Sequence, residues 1–264
     1  MAITTGDGLI AALAAAQAYS WVKYSPPNVA NSQQYSLWLP NGSPVSGAIP
    51  AGAATCTSAT TGAIPFVNPG GSNLTYVGYV ATMSLVPVGM ILYDRLSHMG
   101  GLSGTSVASQ TVNLTIPASR GIFADDTNAE WYVECYADLG VTSRNLTITY
   151  VNTASGTNTV VVVIPATMRS GNLIRVSPTV SGDVIQSITS CTLSGTTGTA
   201  GNFGFTCSRR LTHSSVTAIS LVDFQDAISS GMAQVPNSAC LWLTMESGSI
   251  QALTMSGYLK LLQG

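Results

Sequence analysis

Charged side chains are scarce in this sequence. Only 8% of its 264 residues are Asp, Glu, Lys or Arg, whereas about 25% is typical of soluble domains. Lysine occurs only at Lys23 and Lys260. A soluble surface must therefore be built from Ser, Thr, Asn, Gln and Gly, and such a surface has little charge repulsion to oppose association. The composition predicts that copies of the chain, or a partner, cover much of its surface.

The chain also lacks a basic stripe, because its formal net charge is −2 and its nine Lys and Arg residues are scattered. Nucleic-acid affinity depends largely on neutralising phosphates with Lys and Arg. We therefore expect no nucleic-acid partner. The stretch Tyr76–Tyr93 is uncharged, but Gly78, Pro87 and Gly89 interrupt it, so we expect no membrane-spanning helix there.

No basic residue precedes the apolar run Leu9–Ala16, and Asp7 is the only charge near it. A secretory signal needs a basic region at this place, so we expect none. The run instead predicts a short helix that is capped by Thr5 or Asp7 and has one apolar stripe.

The five cysteines have no metal-ligand spacing, which favours small buried apolar residues in a protein assembled in the cytosol; they are Cys56, Cys135, Cys191, Cys207 and Cys240. One pair leaves an alternative open. Cys191 and Cys207 are symmetric about Thr199 in the loop Gly195–Gly201, so a hairpin there would place them opposite each other. A disulfide is possible at such a spacing.

The stretch between Tyr24 and Tyr93 has no ionisable Asp, Glu, Lys, Arg or His and holds eight of the twelve prolines. Proline fixes φ and removes a donor from the β-ladder. We therefore expect Tyr24–Gly71 to be an extended arm that lies on its own sandwich or on a neighbour, although its composition also suits a linker. We predict two parts: residues 1–71, the helix and the Pro-rich arm, and residues 72–264, a β-sandwich domain that folds without the arm.

Beyond Ser72, short β-type runs alternate with Gly, Ser, Thr and Asn clusters, which is typical of a sandwich or barrel. The fold class predicted is all-β: an antiparallel, jelly-roll-like β-sandwich with an extended N-terminal arm and a short N-terminal helix. Val88–Leu96 is predicted as the first core strand, followed by a glycine-rich exit turn. Thr159–Ile164 is a continuous β-branched run, which predicts a strand buried on both faces.

The segment from Thr127 to Gly140 allows two structures. Thr127–Glu130 matches a helix capping box, yet apolar residues alternate from Trp131 to Leu139, which favours a half-buried strand that turns into Asn145–Val151. The strand is our prediction. Its outward face would then carry Tyr132, Glu134, Tyr136 and Asp138. Three uses remain open for that face: a plain cross-strand surface, a protein interface or a carbohydrate site.

Two motifs suggest chemistry. Gly104–Ala108 resembles the nucleophile motif of subtilisin-like proteases, but the only histidines, His98 and His213, have the wrong sequence setting, so we expect a turn around Ser106. Asp125–Asn128 offers oxygens for calcium, although such clusters mostly form turns and caps. We predict no catalytic, cofactor-binding or metal-binding residues, no cofactor, and no enzymatic activity.

The segment Met90–Thr105 resembles a segment of structural proteins from tailed bacteriophage particles, as do Glu130–Gly140 and Asn145–Asn152. The resemblance implies a β-rich virion protein of the capsid decoration, or cement, type on the outer capsid, assembled in the host bacterial cytoplasm. It transfers no functional residues. The partners expected are the major capsid protein and copies of the chain itself, as a dimer or trimer, with no nucleic acid and no membrane. A receptor- or carbohydrate-binding tail module, or another tail or assembly protein, is the alternative.

Overall fold

A computed structural model describes residues 3–26, 29–71, 73–118, 129–218, 221–248 and 253–264 of the chain. Antiparallel β-strands make up most of it, which confirms the predicted all-β sandwich with one short N-terminal helix. The elements are α1 (Gly6–Ala14), β1 (Gln17–Tyr24), β2 (Gln34–Ser36), β3 (Gly42–Ser43), β4 (Ala54–Thr55), β5 (Thr75–Ser84), β6 (Val88–Leu102), β7 (Gln110–Thr115), β8 (Ala129–Ala137), β9 (Arg144–Asn152), β10 (Thr157–Ile164), β11 (Asn172–Val176), β12 (Ile185–Leu193), β13 (Asn202–Val216), β14 (Leu221–Asp226), β15 (Gln234–Val235), β16 (Leu241–Ser247) and β17 (Thr254–Gln263).

The chain divides into two compact units. The first contains Met1–Gly47, Thr57–Asp94 and Arg210–Gly264, and the second contains Ala48–Cys56 and Arg95–Arg209. Strands β6 and β13 are each divided between the two units, one part of the strand belonging to each unit. These units do not coincide with the division at residue 71 predicted from the sequence, and independent folding of residues 72–264 stays a prediction.

The first unit is built around a six-stranded sheet with the order β14-β5-β17-β1-β3 and with β15 paired to β5. Its inner face shares a core with β2, β16 and the first part of β6, and Trp21, Leu259 and Met90 are among the buried residues. Gly257 allows this packing, because a Cβ there would lie 2.3 Å from Trp21 Cζ2. The core therefore depends on a close approach that only glycine permits.

The second unit contains a four-stranded sheet with the order β10-β9-β12-β7. It shares a core with β8, which pairs with β11 and with Asn202–Arg209 of β13. Leu146, Ile188, Val133 and Phe205 are fully buried there. The described part of the second unit is therefore a two-layer sandwich.

The N-terminal helix begins as predicted, since Thr5 Oγ1 accepts a hydrogen bond from Gly8 N at 3.0 Å. Most of the Pro-rich arm belongs to the first unit, where Tyr35, Leu37 and Trp38 are buried, and its stretch Ala48–Cys56 belongs to the second unit. The arm also supplies the short strands β2, β3 and β4. Of the arm's two expected positions, the described residues show the one on its own sandwich.

Two local predictions change. Strand β6 does not end at Leu96 but continues to Leu102, and Gly101, with a φ of +83°, comes near its end. Strand β8 is confirmed as a strand, but it forms no hairpin with β9, which pairs with β10 and β12 instead. After β8 the chain crosses to the four-stranded sheet that contains β9, because the two layers of a β-sandwich are separate sheets.

Candidate functional site

The predicted outward face of β8 is buried. Tyr132 and Glu134 are each 1% exposed and Tyr136 is 4% exposed, so the expectation of a solvent-facing row is wrong for these three residues. The alternating residues Trp131, Val133 and Cys135 are buried in the core on the other side of the strand. Strand β8 is thus covered on both faces, and the polar row must be neutralised by other buried groups.

Arg95 on β6 supplies that neutralisation by forming an ion pair with Glu134 in which both side chains are inaccessible to solvent. Its Nη2 also donates to Tyr136 Oη at 3.0 Å and to Thr206 Oγ1 at 2.7 Å. Tyr136 Oη in turn donates to Glu134 Oε2 at 2.9 Å, and Thr206 Oγ1 donates to the same oxygen. A buried ion pair is tolerable only when such additional hydrogen bonds satisfy its atoms.

His98 lies at the edge of this cluster, with Nδ1 3.3 Å from Tyr136 Oη. Burial, together with the positive charge of Arg95, lowers the pKa of His98 to about 2. Burial and then the Glu134 carboxylate raise the pKa of Tyr136 well above its usual value. Near neutral pH the imidazole is therefore neutral and the phenol protonated, so neither group is poised for proton transfer.

The segments that carry the phage resemblance meet in this cluster. Arg95 and His98 belong to Met90–Thr105, and Glu134 and Tyr136 belong to Glu130–Gly140. All four side chains are buried. These four residues of the two segments are therefore interior residues of the second unit, whereas the third resembling segment, Asn145–Asn152, alternates between the core and the outer face of its sheet.

Asp138 is the one member of the predicted row that reaches solvent. Its Oδ2 accepts from Arg169 Nη1 at 2.7 Å and its Oδ1 from Ser170 N at 2.8 Å. Partial burial acts to raise the pKa of Asp138, but the hydrogen bonds from Arg169 and Ser170 outweigh it and hold the pKa below its usual value. The carboxylate joins the end of β8 to the segment before β11.

A second carboxylate, Asp183, was not singled out by sequence reasoning. It accepts hydrogen bonds of 2.8 Å from Tyr150 Oη, Asn152 Nδ2 and Asn158 Nδ2. The hydrogen bonds from Tyr150 and Asn152 are the main reason that its pKa lies below the usual value. No local signal marks this cluster, because Asp183 lies 25 to 33 residues away from its three partners along the chain.

Other predicted sites give no reactive group. Ser106 lies in a turn, where its N–H donates to Ser103 O at 3.3 Å. All five cysteines are buried. Cys191 and Cys207 lie on strands of different sheets, β12 and β13, so the hairpin disulfide is wrong. Within the part of the chain that the structure describes, no group of three or more His, Cys, Asp or Glu side chains could hold a metal, and the calcium candidate Asp125–Asn128 lies outside that part.

The first unit has an open cleft of about 680 Å³ between its described segments. Gln33, Gln34, Ser215 and Thr217 line it, and Glu246 is its only carboxylate among the described residues.

Within the described ranges, the chain has no helix with the length and the apolar composition that a membrane span requires.

The outer face of the four-stranded sheet is uncharged over its described strands. We call it the threonine face; it consists of Thr111, Asn113 and Thr115 on β7, Ser187, Ser190 and Thr192 on β12, Asn145, Thr147, Thr149 and Val151 on β9, and Thr157, Thr159, Val161 and Val163 on β10. Its side chains are exposed or half-buried. The prediction that β10 is buried on both faces is wrong, since Val161 is 54% and Val163 58% exposed. Strand β10 lies at the edge of its sheet, with its second apolar face open.

Comparisons with known proteins give no family. No protein-family model matches the chain, and no curated protein matches it. Among solved structures, the infectious bursal disease virus Gt strain aligns at 9% identity with a TM-score of 0.17, covering 94% of this chain and 81% of that chain. The VP2 subviral particle of infectious bursal disease virus aligns at 9% identity with a TM-score of 0.19, covering 94% of this chain and 80% of that chain. TM-scores this low carry no argument about fold or function.

Proposed function

We propose that the chain is a structural component of a virus particle, and specifically a capsid decoration protein that binds the outside of a bacteriophage head lattice. Its partners would be the major capsid protein and further copies of the chain. The threonine face carries the proposal. A broad sheet face without ionised groups suits a contact surface better than a solvated one, because the cores of protein interfaces are depleted of charge.

The energetics of the threonine face favour contact. Hydroxyl groups cost far less to remove from water than ionised groups do, and hydrogen bonds across an interface compensate for much of that cost. Apolar area removed from water contributes about 25 cal/mol per Å² before the costs of association. Many symmetry-related copies on one particle would turn modest contacts into strong attachment.

The proposal assigns no reaction to the chain. The buried cluster around Arg95 and Glu134 supports this assignment, because its histidine and tyrosine lie far from their titration ranges at neutral pH. The carbohydrate-binding alternative rested on Tyr132 and Tyr136, and their burial removes that basis. Buried thiols suit the proposed assembly in the host bacterial cytoplasm, where thiols stay reduced.

The test uses purified particles of the virus that encodes the chain. Mass spectrometry should recover the chain in a fixed ratio to the major capsid protein, and purified chain should rebind to heads from which it has been stripped. Thr147 is exposed within the threonine face, between Val161 and Thr192. Thr147→Lys should abolish rebinding because it places a charge in the contact.

Thr61 provides the matched control. It is also exposed, but it lies in a turn of the first unit, so Thr61→Lys should rebind like the unmodified chain. Absence of the chain from particles would contradict the proposal. Equal rebinding by Thr147→Lys would contradict the assignment of the threonine face.

A further inference from the structure

A second bare surface lies on the first unit, on the outer side of its six-stranded sheet. Along β14, β5 and β17, alternate residues point away from the core in three rows: Val222–Met83–Ser256, Phe224–Ala81–Tyr258 and Asp226–Tyr79–Lys260. We call these nine positions the apolar face. Phe224 is 59%, Val222 54% and Met83 48% exposed. Such a cluster of large apolar side chains marks an interaction site.

The rings on the apolar face already support one another. Tyr79 stacks on Phe224 with centroids 6.0 Å apart and an interplanar angle of 20°, and it meets Tyr258 edge-on at 6.4 Å. Packed aromatic side chains lose little freedom on binding and commonly dominate the binding energy. The face thus presents a preorganised aromatic ridge.

The chain itself covers the neighbouring part of this layer. Leu262 and Tyr76, at the ends of β17 and β5, pack against Ala12, Leu9 and Leu13 of α1. The helix ends at Ala14, and the three rows above it carry no covering segment among the described residues. The apolar outer side of this sheet is therefore buried where α1 covers it and exposed beyond the end of the helix.

The charges on the apolar face identify the occupant. Its two ionised residues, Asp226 and Lys260, flank Tyr79 on opposite sides in the same row. A two-fold axis that lies along β5, between two facing sheets, sets Asp226 of one copy opposite Lys260 of the other, and does so twice. The same axis sets Phe224 opposite Tyr258 over the small Ala81. Self-complementarity of this kind is what an isologous interface requires.

We propose that the apolar face is the contact surface of a homodimer whose two-fold axis lies along β5. Two sheets packed face to face lie about 10 Å apart, which the aromatic side chains can span. An anionic lipid surface would call for a cluster of lysines and arginines, whereas this face has one lysine balanced by one aspartate. The proposal deepens the self-association in the proposed function and rests on that function for its setting in a particle, but the dimer can be measured without particles.

The first test is analytical ultracentrifugation of the full chain over a concentration series. The unmodified chain should dimerise, and Val222→Asp should raise the dissociation constant at least about tenfold, as expected for a charge placed in an interface core. Val107 gives a matched control, because it is also an exposed valine, at 56%, but lies in a loop of the second unit that belongs to neither face. Val107→Asp should leave the dissociation constant unchanged. A monomer at all concentrations, or equal effects of the two variants, would overturn the proposal.

The second test exploits the two charge contacts. Lys260→Glu and Asp226→Lys should each weaken self-association, because each homodimer would bring like charges together twice. Mixed in equal amounts, the two variants should form a heterodimer, since both contacts then join opposite charges. Asp226 also accepts hydrogen bonds from Ile228 N and Ser229 N, so circular dichroism must show that Asp226→Lys is folded. If it is not, Asp226→Asn takes its place. A mixture of Asp226→Asn with Lys260→Glu must then restore one of the two opposite-charge contacts.

Failure of the mixture to associate more strongly than either variant alone would overturn the two-fold axis. A chain that binds stripped heads as a monomer would overturn the dimer and leave the proposed function intact. A chain that dimerises through the apolar face but is absent from particles would leave the dimer and overturn the proposed function.

Discussion

Removing the buried Glu134 carboxylate should destabilise the second unit more than removing an exposed carboxylate of the same unit. Glu134→Leu leaves the Arg95 guanidinium buried with a neutral neighbour, since both side chains are at most 1% exposed. Breaking a buried ion pair in this way typically costs about 3–5 kcal/mol. Thr206 Oγ1 also loses an acceptor, and an unsatisfied buried hydroxyl costs about 1–3 kcal/mol. The sum approaches the whole stability of a typical domain, about 5–15 kcal/mol.

The double variant Arg95→Met/Glu134→Leu should recover much of this loss. It removes both charges together, and replacing a buried pair by apolar residues is often neutral. Tyr136 Oη keeps a partner in His98 Nδ1, 3.3 Å away. We therefore expect the double variant to be at least about 2 kcal/mol more stable than Glu134→Leu alone, which amounts to strong coupling in a double-mutant cycle.

The pair Arg169–Asp138 is the control within the same unit. It has the same chemistry at 2.7 Å, but its side chains are 41% and 48% exposed, so Asp138→Leu should cost no more than about 1 kcal/mol. Equilibrium urea unfolding, followed by circular dichroism and tryptophan fluorescence, measures these three variants, the single variant Arg95→Met that completes the cycle, and the unmodified chain. Equal costs for Glu134→Leu and Asp138→Leu, or a cycle without coupling, would refute this account of the buried cluster.

Two further predictions concern acid sensitivity and the N-terminal strand. The pKa of His98 is about 2 in the folded chain, so its imidazole stays neutral there, whereas in the unfolded chain it binds a proton near pH 6.5. The free energy of unfolding therefore falls as pH falls through 6.5. From pH 7.5 to 4.5 the free energy of unfolding of the second unit should drop by about 2–3 kcal/mol. Urea titrations should show this slope flattened in His98→Gln and kept in the control His213→Gln, where the side chain is exposed; a slope unchanged in His98→Gln would contradict the prediction. For truncation to residues 72–264, the pairing of β1 with β17 from Gln17 to Tyr24 and the burial of Trp21 lead us to expect an unfolded first unit, contrary to the expectation from sequence. Near-native thermal unfolding of that truncated chain would show that the sequence-based boundary is correct.

Strand content could be read from the sequence because alternation is a local property. Trp131, Val133 and Cys135 face a core as their spacing predicts. The burial of Tyr132 and Glu134 could not be predicted, because it depends on Arg95 and Thr206, which are 39 and 72 residues away from Glu134 along the chain. A polar row beside an apolar row is compatible with solvent or with a buried ion pair, and only the tertiary partners decide between them.

The run Thr159–Ile164 shows the converse error. A continuous β-branched segment is expected for a strand with cover on both faces, yet β10 is an edge strand whose Val161 and Val163 face outward. Apolar composition indicates which side chains a strand can bury, but it does not indicate whether another segment of the same chain covers them. The same applies to Phe224 and Val222 on β14, which is the edge strand of the six-stranded sheet.

The placement of the few charged residues strengthens the inference drawn from their scarcity. Natural sheets protect their edges with charged residues, lysine above all, but Lys23 is buried, where its Nζ donates to Pro40 O at 3.1 Å, and Lys260 lies on the interior strand β17. Arg95 and Glu134 neutralise each other inside the second unit. The described edge strand β10 carries exposed valines and no charged residue, and β14 carries exposed Val222 and Phe224 beside two aspartates but no lysine. A monomer that had to remain solvated would need lysines at these edges, so their absence from β10 and β14 supports the proposal of a protein whose sheet faces and edges are covered in an assembly.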